Sequence, residues 1–206
     1  MAAGKGARAK TNSRPVSFAQ IELAASKLFS EKTYPAVGMR DISDAVGLLA
    51  GSLYAHIANK EDLLLGIVRR GIQSYIDALA PISESDQSAA QRLRLMMHKY
   101  MEILHATPEQ TRVSFNQWTY LGEDNQRIVS KLREEYEAVF SGVISDGIAA
   151  KEFPSIKHPR ITVLATMGLL SSATAWYSRE GSLDATQIGD DLADMALRGL
   201  CAGAQA

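Results

Sequence analysis

Apolar residues return every three or four positions along most of the chain, the spacing of one buried helical face, and no stretch shows the period of two that a strand requires. Phe18, Ile21, Leu23, Ala24, Ala25, Leu28 and Phe29 form the first such face, with Ser17 placed to cap it. Tyr34 and Pro35 mark a break. A second helix is expected from about 38 to 46 and ends at Gly47, where a left-handed backbone is cheap only for glycine. A third, from about 49 to 57, follows almost at once. Asn59 then caps a fourth helix, with Asp62 three residues on and Leu63, Leu64, Ile67, Val68, Ile72 and Ile76 along it.

Pro81 and the polar stretch 83–88 predict the next loop. A helix near 88–106 carries Leu93, Met96, Met97, Tyr100, Met101 and Leu104. Thr107-Pro108-Glu109-Gln110 reads as cap, first-turn proline and reciprocal glutamine, opening a helix with Val113, Phe115 and Trp118. Further helices are expected near 125–150, through Ile128, Leu132, Tyr136, Val139, Phe140, Val143 and Ile144, and near 159–179 and 184–201. The fold class is therefore all-α, with about nine helices. The expected divisions are a basic arm over 1–15, a helix-turn-helix domain over 16–60 and a helical domain over 61–206.

Charge is spread unevenly over these helices. Residues 1–60 carry eight Lys/Arg against four Asp/Glu, and the remainder fourteen against nineteen, so the net charge of -1 hides a basic first third. That asymmetry suits a polyanion that meets the first third only, and equally a solvated surface with a cationic tail. Residues 1–15 are expected to be a mobile arm, lying on DNA or serving solubility. Without a run of roughly 20 apolar residues or an apolar leader, no membrane span is expected and the cytoplasm is the default location. Cys201, the single cysteine, excludes an internal disulfide. His56, His98, His105 and His158 lack metal-ligand spacing, and no nucleophile motif or phosphate-binding glycine loop occurs. No metal or cofactor is expected, and an enzyme is disfavoured.

With Met39 as its first position, a helix-turn-helix fits the spacing. Ile42 and Val46 form the buried face of its first helix, Ser43 is the small residue where the helices touch, and Gly47 makes the turn. Leu48 and Leu53 fill the core from the second helix. A plain helical hairpin shows part of this pattern too. The stretch from Met39 to Leu64, with Val46-Gly47-Leu48 at the turn and Tyr54-Ala55-His56-Ile57-Ala58-Asn59-Lys60-Glu61-Asp62-Leu63-Leu64 beyond it, resembles the DNA-binding segment of TetR-family regulators. Ala24-Ala25, Leu28-Phe29 and Glu31 resemble that family's first helix. The likeness covers about residues 18 to 68; the later helices match in number, length and order.

The resemblance implies site roles by position. Leu49, Ala50, Gly51 and Ser52 would face base edges, and their small or apolar side chains suit thymine-methyl contact and shape readout. Arg40 would meet a base or a phosphate. Tyr54, His56 and Lys60 match positions that hold the phosphate backbone; core packing is the alternative for Tyr54, and an exposed helix end for His56. Two departures stand out: Thr33 replaces the usual glycine before the aromatic residue, and Val37-Gly38 stands where the family usually has threonine. Valine has no oxygen to cap a helix or hold a phosphate, which leaves the backbone N–H of Gly38 as the expected substitute.

In the second domain, Met97, Tyr100, Met101, Phe115, Trp118, Tyr136 and Phe140 suit an adaptable apolar cavity and equally an ordinary helical core. The resemblance implies the ligand pocket. Gly168, Ser171, Ser172 and Ala175 form a small-residue stripe, with Ile188, Leu192, Met195 and Gly199 on the last helix; two such helices from each subunit would make a four-helix bundle. The family resemblance also places dimerisation there, implying a homodimer on a palindromic double-stranded DNA operator. Gly147-Ile148, Phe153, Trp176-Tyr177, Gly181-Ser182-Leu183 and Ile188-Gly189 resemble the branch that regulates fatty-acid and steroid breakdown in response to CoA thioesters. The reading is a repressor released by a small apolar effector, with an acyl-CoA as one candidate. A ligand-independent DNA-binding or architectural protein and an activator are the alternatives.

Overall fold

Residues 16–202 are described by a computed structural model, and every regular element among them is a helix. The expected basic arm, 1–15, lies outside the described residues. Helix α1 (Phe18–Lys32) opens with a capping box: Ser17 Oγ accepts from the Gln20 N–H, and Gln20 Oε1 accepts from the Ser17 N–H at 2.9 Å. Helices α2 (Met39–Ala45) and α3 (Ala50–Leu53) make the helix-turn-helix, with Gly47 at φ 69° in the turn. The third helix is shorter than expected. After Leu53 the chain continues as turns whose 55, 56 and 57 N–H groups reach back to Ser52 and Leu53. Gly51 and Ser52 are weak helix formers, so little holds a longer helix here.

Helix α4 (Lys60–Ser83) starts at the expected cap, with Asn59 Oδ1 accepting from the Asp62 N–H at 2.8 Å. It runs through Pro81 rather than stopping there, because a proline in the last turn removes only one intrahelical bond. Helix α5 (Ala89–Ala106) is capped by Ser88 and Gln91, and Glu152 accepts from the Ala89 and Ala90 N–H groups. Those two bonds lower the Glu152 pKa from its ordinary value.

Helix α6 (Pro108–Asn116) has the expected first-turn proline but no side-chain cap. Thr107 Oγ1 donates instead to the Ile103 carbonyl at 3.0 Å, closing the end of α5. A 3₁₀ turn (Trp118–Tyr120) leads to α7 (Glu123–Ala149), α8 (Pro159–Trp176) and α9 (Ala185–Ala202).

A continuous apolar core runs from Ile21, Phe29, Ile42 and Leu53 through Leu64 and Ile72 of α4 to Tyr100, Phe140 and Ile144. Helix α4 thus packs into both halves of the chain. Between α5 and α9, Arg94 pairs with Asp190 and Asp194, and His98 Nε2 lies 2.8 Å from Asp190. No helix among the described residues is long and apolar enough to cross a membrane.

Thr33, which follows α1, stands at φ 68°, ψ 153°, a backbone region open essentially to glycine alone and costing other residues about 1 to 3 kcal/mol. Glycine gives back about 0.5 to 1 kcal/mol through its freer unfolded chain. Thr33→Gly is therefore expected to stabilise by about 1 kcal/mol, raising the melting temperature roughly 2 to 4 °C. Calorimetry checks this, and a lower melting temperature would show the backbone here to be unstrained.

Candidate DNA-binding and ligand site

The turn at Gly47 holds α3 away from the core. Leu48 and Leu53 face inward, while Leu49 is 81% exposed and Ala50, Gly51 and Ser52 are also exposed. An exposed leucine flanked by small residues leaves a narrow, nearly uncharged edge, suited to close approach to base-pair edges. Tyr54 is 55% exposed, so it is not a core residue, and His56 is exposed beside it. Arg40 projects from α2 and is exposed, with a 3.9 Å pair to Asp44 as its one ion pair among the described residues. All seven of these residues are exposed, so each is open to a partner.

Two expected contacts have other partners. The Gly38 N–H donates to Asp41 Oδ2 at 2.7 Å, so this donor is engaged inside the chain. Val37 is buried, its methyl groups packed in the core. Lys60 Nζ donates to the carbonyls of Tyr34 at 3.1 Å and Val37 at 2.8 Å, and lies 4.2 Å from the centre of the Tyr34 ring. It fastens the α1–α2 loop to the start of α4.

The same loop is gripped from the other half of the chain. Gln117, between α6 and the 3₁₀ turn, is buried; its Nε2 donates to the Phe29 carbonyl at 2.6 Å and its Oε1 accepts from the Tyr34 N–H at 2.7 Å. Tyr34 also stacks on Tyr120 with ring centres 6.1 Å apart. Glu61, in the first turn of α4, accepts from the Gly122 N–H at 2.9 Å and from Asn125 Nδ2 at 2.6 Å. These two bonds hold its carboxyl pKa below the ordinary value.

A cavity of about 270 Å³ lies between α6, α7 and α8. Phe115, Tyr136, Leu164 and Met167 supply its apolar wall, and Ser130, Arg133, Glu134, Glu137, Gly168 and Ser171 the rest. Of the seven residues expected to line a shared pocket, Phe115 and Tyr136 do so. Trp118 is half-buried, with the Arg133 guanidinium 4.9 Å from its ring centre. Met97, Tyr100, Met101 and Phe140 are fully buried and lie behind that wall as core. Tyr75 links the two groups, its ring 4.7 Å from Tyr100 and 5.2 Å from Phe115. Burial pushes the Tyr100 phenol well above its usual pKa, and among the described residues its hydroxyl has no hydrogen-bond partner.

Gly168, Ser172 and Ala175 are exposed on α8, beside Ile161, Leu164 and Trp176; Ser171 is half-buried. On α9, Met195 and Gly199 are exposed, but Ile188 and Leu192 are 8% exposed and mostly packed against their own chain. Gly168 and Ser171 also line the cavity, so that cavity opens beside the small-residue stripe.

Residues 22–67 match the family model of bacterial regulatory proteins of the tetR family, and residues 86–200, more than half of the chain, match the tetracyclin repressor-like C-terminal domain. The chain belongs to the TetR family. This TetR-family chain is a DNA-binding transcriptional regulator, and its helix-turn-helix and all-helical fold are those expected from the sequence. It is 28% identical over 193 residues to the transcriptional repressor KstR2 of Mycobacterium tuberculosis, covering 87% of this chain and 90% of that protein. It is 18% identical over 184 residues to the fatty acid metabolism regulator protein of Bacillus subtilis, covering 89% and 95%. The crystal structure of AibR with isovaleryl coenzyme A and operator DNA shares the fold, with a TM-score of 0.79 and 19% identity over 86% of this chain and 96% of that one.

Sequence reasoning missed several residues that this TetR-family structure brings to the site. Arg133 lies three residues before Tyr136, on the same helical face, and that spacing was a readable signal. Leu164 and Met167 were also missed; they repeat, with Gly168 and Ser171 that had been assigned to an interface, at the three- and four-residue spacing of one face of α8. Gln117 carries no such signal, since its partners lie 83 and 88 residues away.

Proposed function

We propose that this TetR-family chain is a dimeric repressor that leaves a palindromic operator when a small apolar effector, such as an acyl-CoA thioester, enters the cavity between α6, α7 and α8. One observation carries this reading: Phe115 faces the cavity, and Gln117, two residues on, grips the end of α1 and the following loop. A ligand that displaces Phe115 therefore acts close to the mount of the DNA-reading unit. The repressor name of KstR2 supports the sign of regulation, and the isovaleryl-CoA complex of AibR supports the ligand class.

In this reading Leu49, Ala50, Gly51 and Ser52 meet base edges, and Arg40, Tyr54 and His56 meet phosphates or flanking bases. Lys60 and Gly38 act by shaping the loop. Gly168, Ser172, Ala175, Met195 and Gly199, with exposed Ile161 and Trp176, form the face of a four-helix bundle with a second copy. Such a dimer spaces its two reading helices by about one DNA turn, roughly 34 to 36 Å. A second reading, DNA binding without a ligand, is favoured by the solid packing of Met97, Tyr100, Met101 and Phe140.

The test is titration of the purified protein against DNA from its own upstream region at two salt concentrations, with and without acyl-CoA compounds of graded chain length. Leu49→Ala is expected to weaken specific binding about tenfold, the loss of one base contact, and to leave non-specific binding unchanged. An effective acyl-CoA is expected to weaken operator binding by about 5- to 150-fold, and operator DNA to weaken its binding by the same factor. Specific binding that no compound alters would sink the release mechanism and leave the second reading. Absence of specific binding at either salt would sink both.

A further inference from the structure

Among the described residues, Arg133 is the one cationic side chain on the wall of the α6–α7–α8 cavity. It is partly buried, and desolvation lowers its pKa from the usual arginine value. Among the described residues it has no carboxylate within ion-pair distance and no hydrogen-bond partner; its only close polar-to-aromatic contact is the face of Trp118 at 4.9 Å. Neither of the two acids on the wall forms an ion pair with it, and Glu137 favours its charge only at longer range. Glu137 is held by Arg160 at 2.9 Å, and Glu134 is exposed toward solvent. A guanidinium has five donors in a planar fork, and stacking on Trp118 leaves its edge free for an oxyanion. Phe115, Tyr136, Leu164 and Met167 make the adjoining wall apolar.

We propose that Arg133 anchors an oxyanion of the cavity's ligand, so that the site takes an amphipathic organic anion rather than a neutral apolar molecule. This inference rests on the reading of the cavity as the effector site. The apolar body lies against Phe115, Tyr136, Leu164 and Met167, and the anionic group meets the guanidinium edge. At about 270 Å³ the cavity lies near the small end of the roughly 300 to 1,000 Å³ range of ligand pockets, which suits a short to medium acyl chain. The oxyanion has two chemical sources, the carboxylate of a free acid or a phosphate of its CoA thioester. Either is a charge-assisted, potentially bidentate contact.

The test uses the full chain and three probes that share one chain length: octanoate, octanoyl-CoA and 1-octanol, each titrated by calorimetry. At least one anion is expected to bind ten times more tightly than 1-octanol, and preference for octanoate over octanoyl-CoA, or the reverse, identifies the source of the oxyanion. Arg133→Met is expected to lose the tenfold preference with 1-octanol binding unchanged, and Arg133→Lys to keep part of it. Melting curves establish that each variant is folded; should the methionine variant unfold, the anion preference of the parent chain and of Arg133→Lys still decides. Equal binding of 1-octanol and both anions, an undiminished preference in folded Arg133→Met, or binding of none of the three would overturn the proposal. Operator release is measured in the same samples to separate the two ideas. An anion that binds through Arg133 without releasing DNA would uphold the anchor and sink effector control, whereas equal release by 1-octanol would uphold effector control and sink the anchor.

Discussion

Gln117→Leu is expected to lower the melting temperature by about 5 to 10 °C and to weaken operator binding, with effector affinity unchanged. Leucine keeps the buried volume but removes both arms of the amide. The Tyr34 N–H then loses its acceptor, while the Phe29 carbonyl keeps its bond from the Thr33 N–H at 2.9 Å. An orphaned donor and a lost second bond together cost about 2 to 3 kcal/mol, which in a chain of this length converts to the stated shift. The loop from Thr33 to Val37 then depends on Lys60 and on Tyr34–Tyr120 stacking, so α2 and α3 are less firmly aimed. Gln117 does not line the cavity, which is why ligand binding should be spared. Differential scanning calorimetry and parallel DNA and ligand titrations check the three parts. A melting temperature within about 2 °C of the parent, with unchanged DNA binding, would remove Gln117 from the mount of the reading unit.

The local features of this fold were readable because they are written within one turn of helix. Ser17 with Gln20, Asn59 with Asp62 and Ser88 with Gln91 each place a cap and its partner three residues apart. Gly47 marks the turn, and Ile42 and Leu53 fall on the buried face as their spacing requires. Thr33 was legible only as a departure from a pattern; its positive φ gives the departure a physical meaning. Where local signals competed, the reading slipped. Pro81 suggested a break that the neighbouring helix overrode, and the face expected at Ile128 belongs to Val129, with Ile128 45% exposed.

The candidate ligand site was less legible, because methionine and aromatic residues report apolarity and not emptiness. Tyr100 and Phe115 look alike in sequence, yet one is sealed in the core and the other faces a cavity. Which of them borders space depends on how α6, α7 and α8 cross, and that follows from packing between distant segments. The same holds for Lys60: the family position it matches suggested a phosphate, but its ammonium has two carbonyls within reach once the loop folds over it. Short-range spacing therefore anticipated the helix-turn-helix and its turn better than it anticipated either the cavity or the contacts between the two halves.

Gly71 connects those halves by the opposite means, a missing side chain. A Cβ built there would lie 1.9 Å from Ser114 Oγ and 2.8 Å from Ser114 Cβ, so α4 and α6 approach closely only because residue 71 has none. Ser114 is fully buried and its hydroxyl donates to the Ile67 carbonyl at 3.3 Å, which leaves it little room to turn away. In an open helical position glycine-to-alanine stabilises by up to about 1 kcal/mol. At Gly71 the overlap reverses that sign, and Gly71→Ala is expected to destabilise by about 1 to 3 kcal/mol. Gly142 of α7 is the control: no atom lies within 4 Å of its built Cβ, and Gly142→Ala is expected to stabilise. Pairing Gly71→Ala with Ser114→Gly moves the space to the other helix and is expected to restore most of the loss, apart from glycine's cost in α6. Denaturant unfolding of the three variants checks the signs. If Gly71→Ala proves as harmless as Gly142→Ala, α4 and α6 are not held at this spacing, and a shift of α6 at the cavity would reach the helix-turn-helix segment through Gln117 and not through this α4–α6 contact.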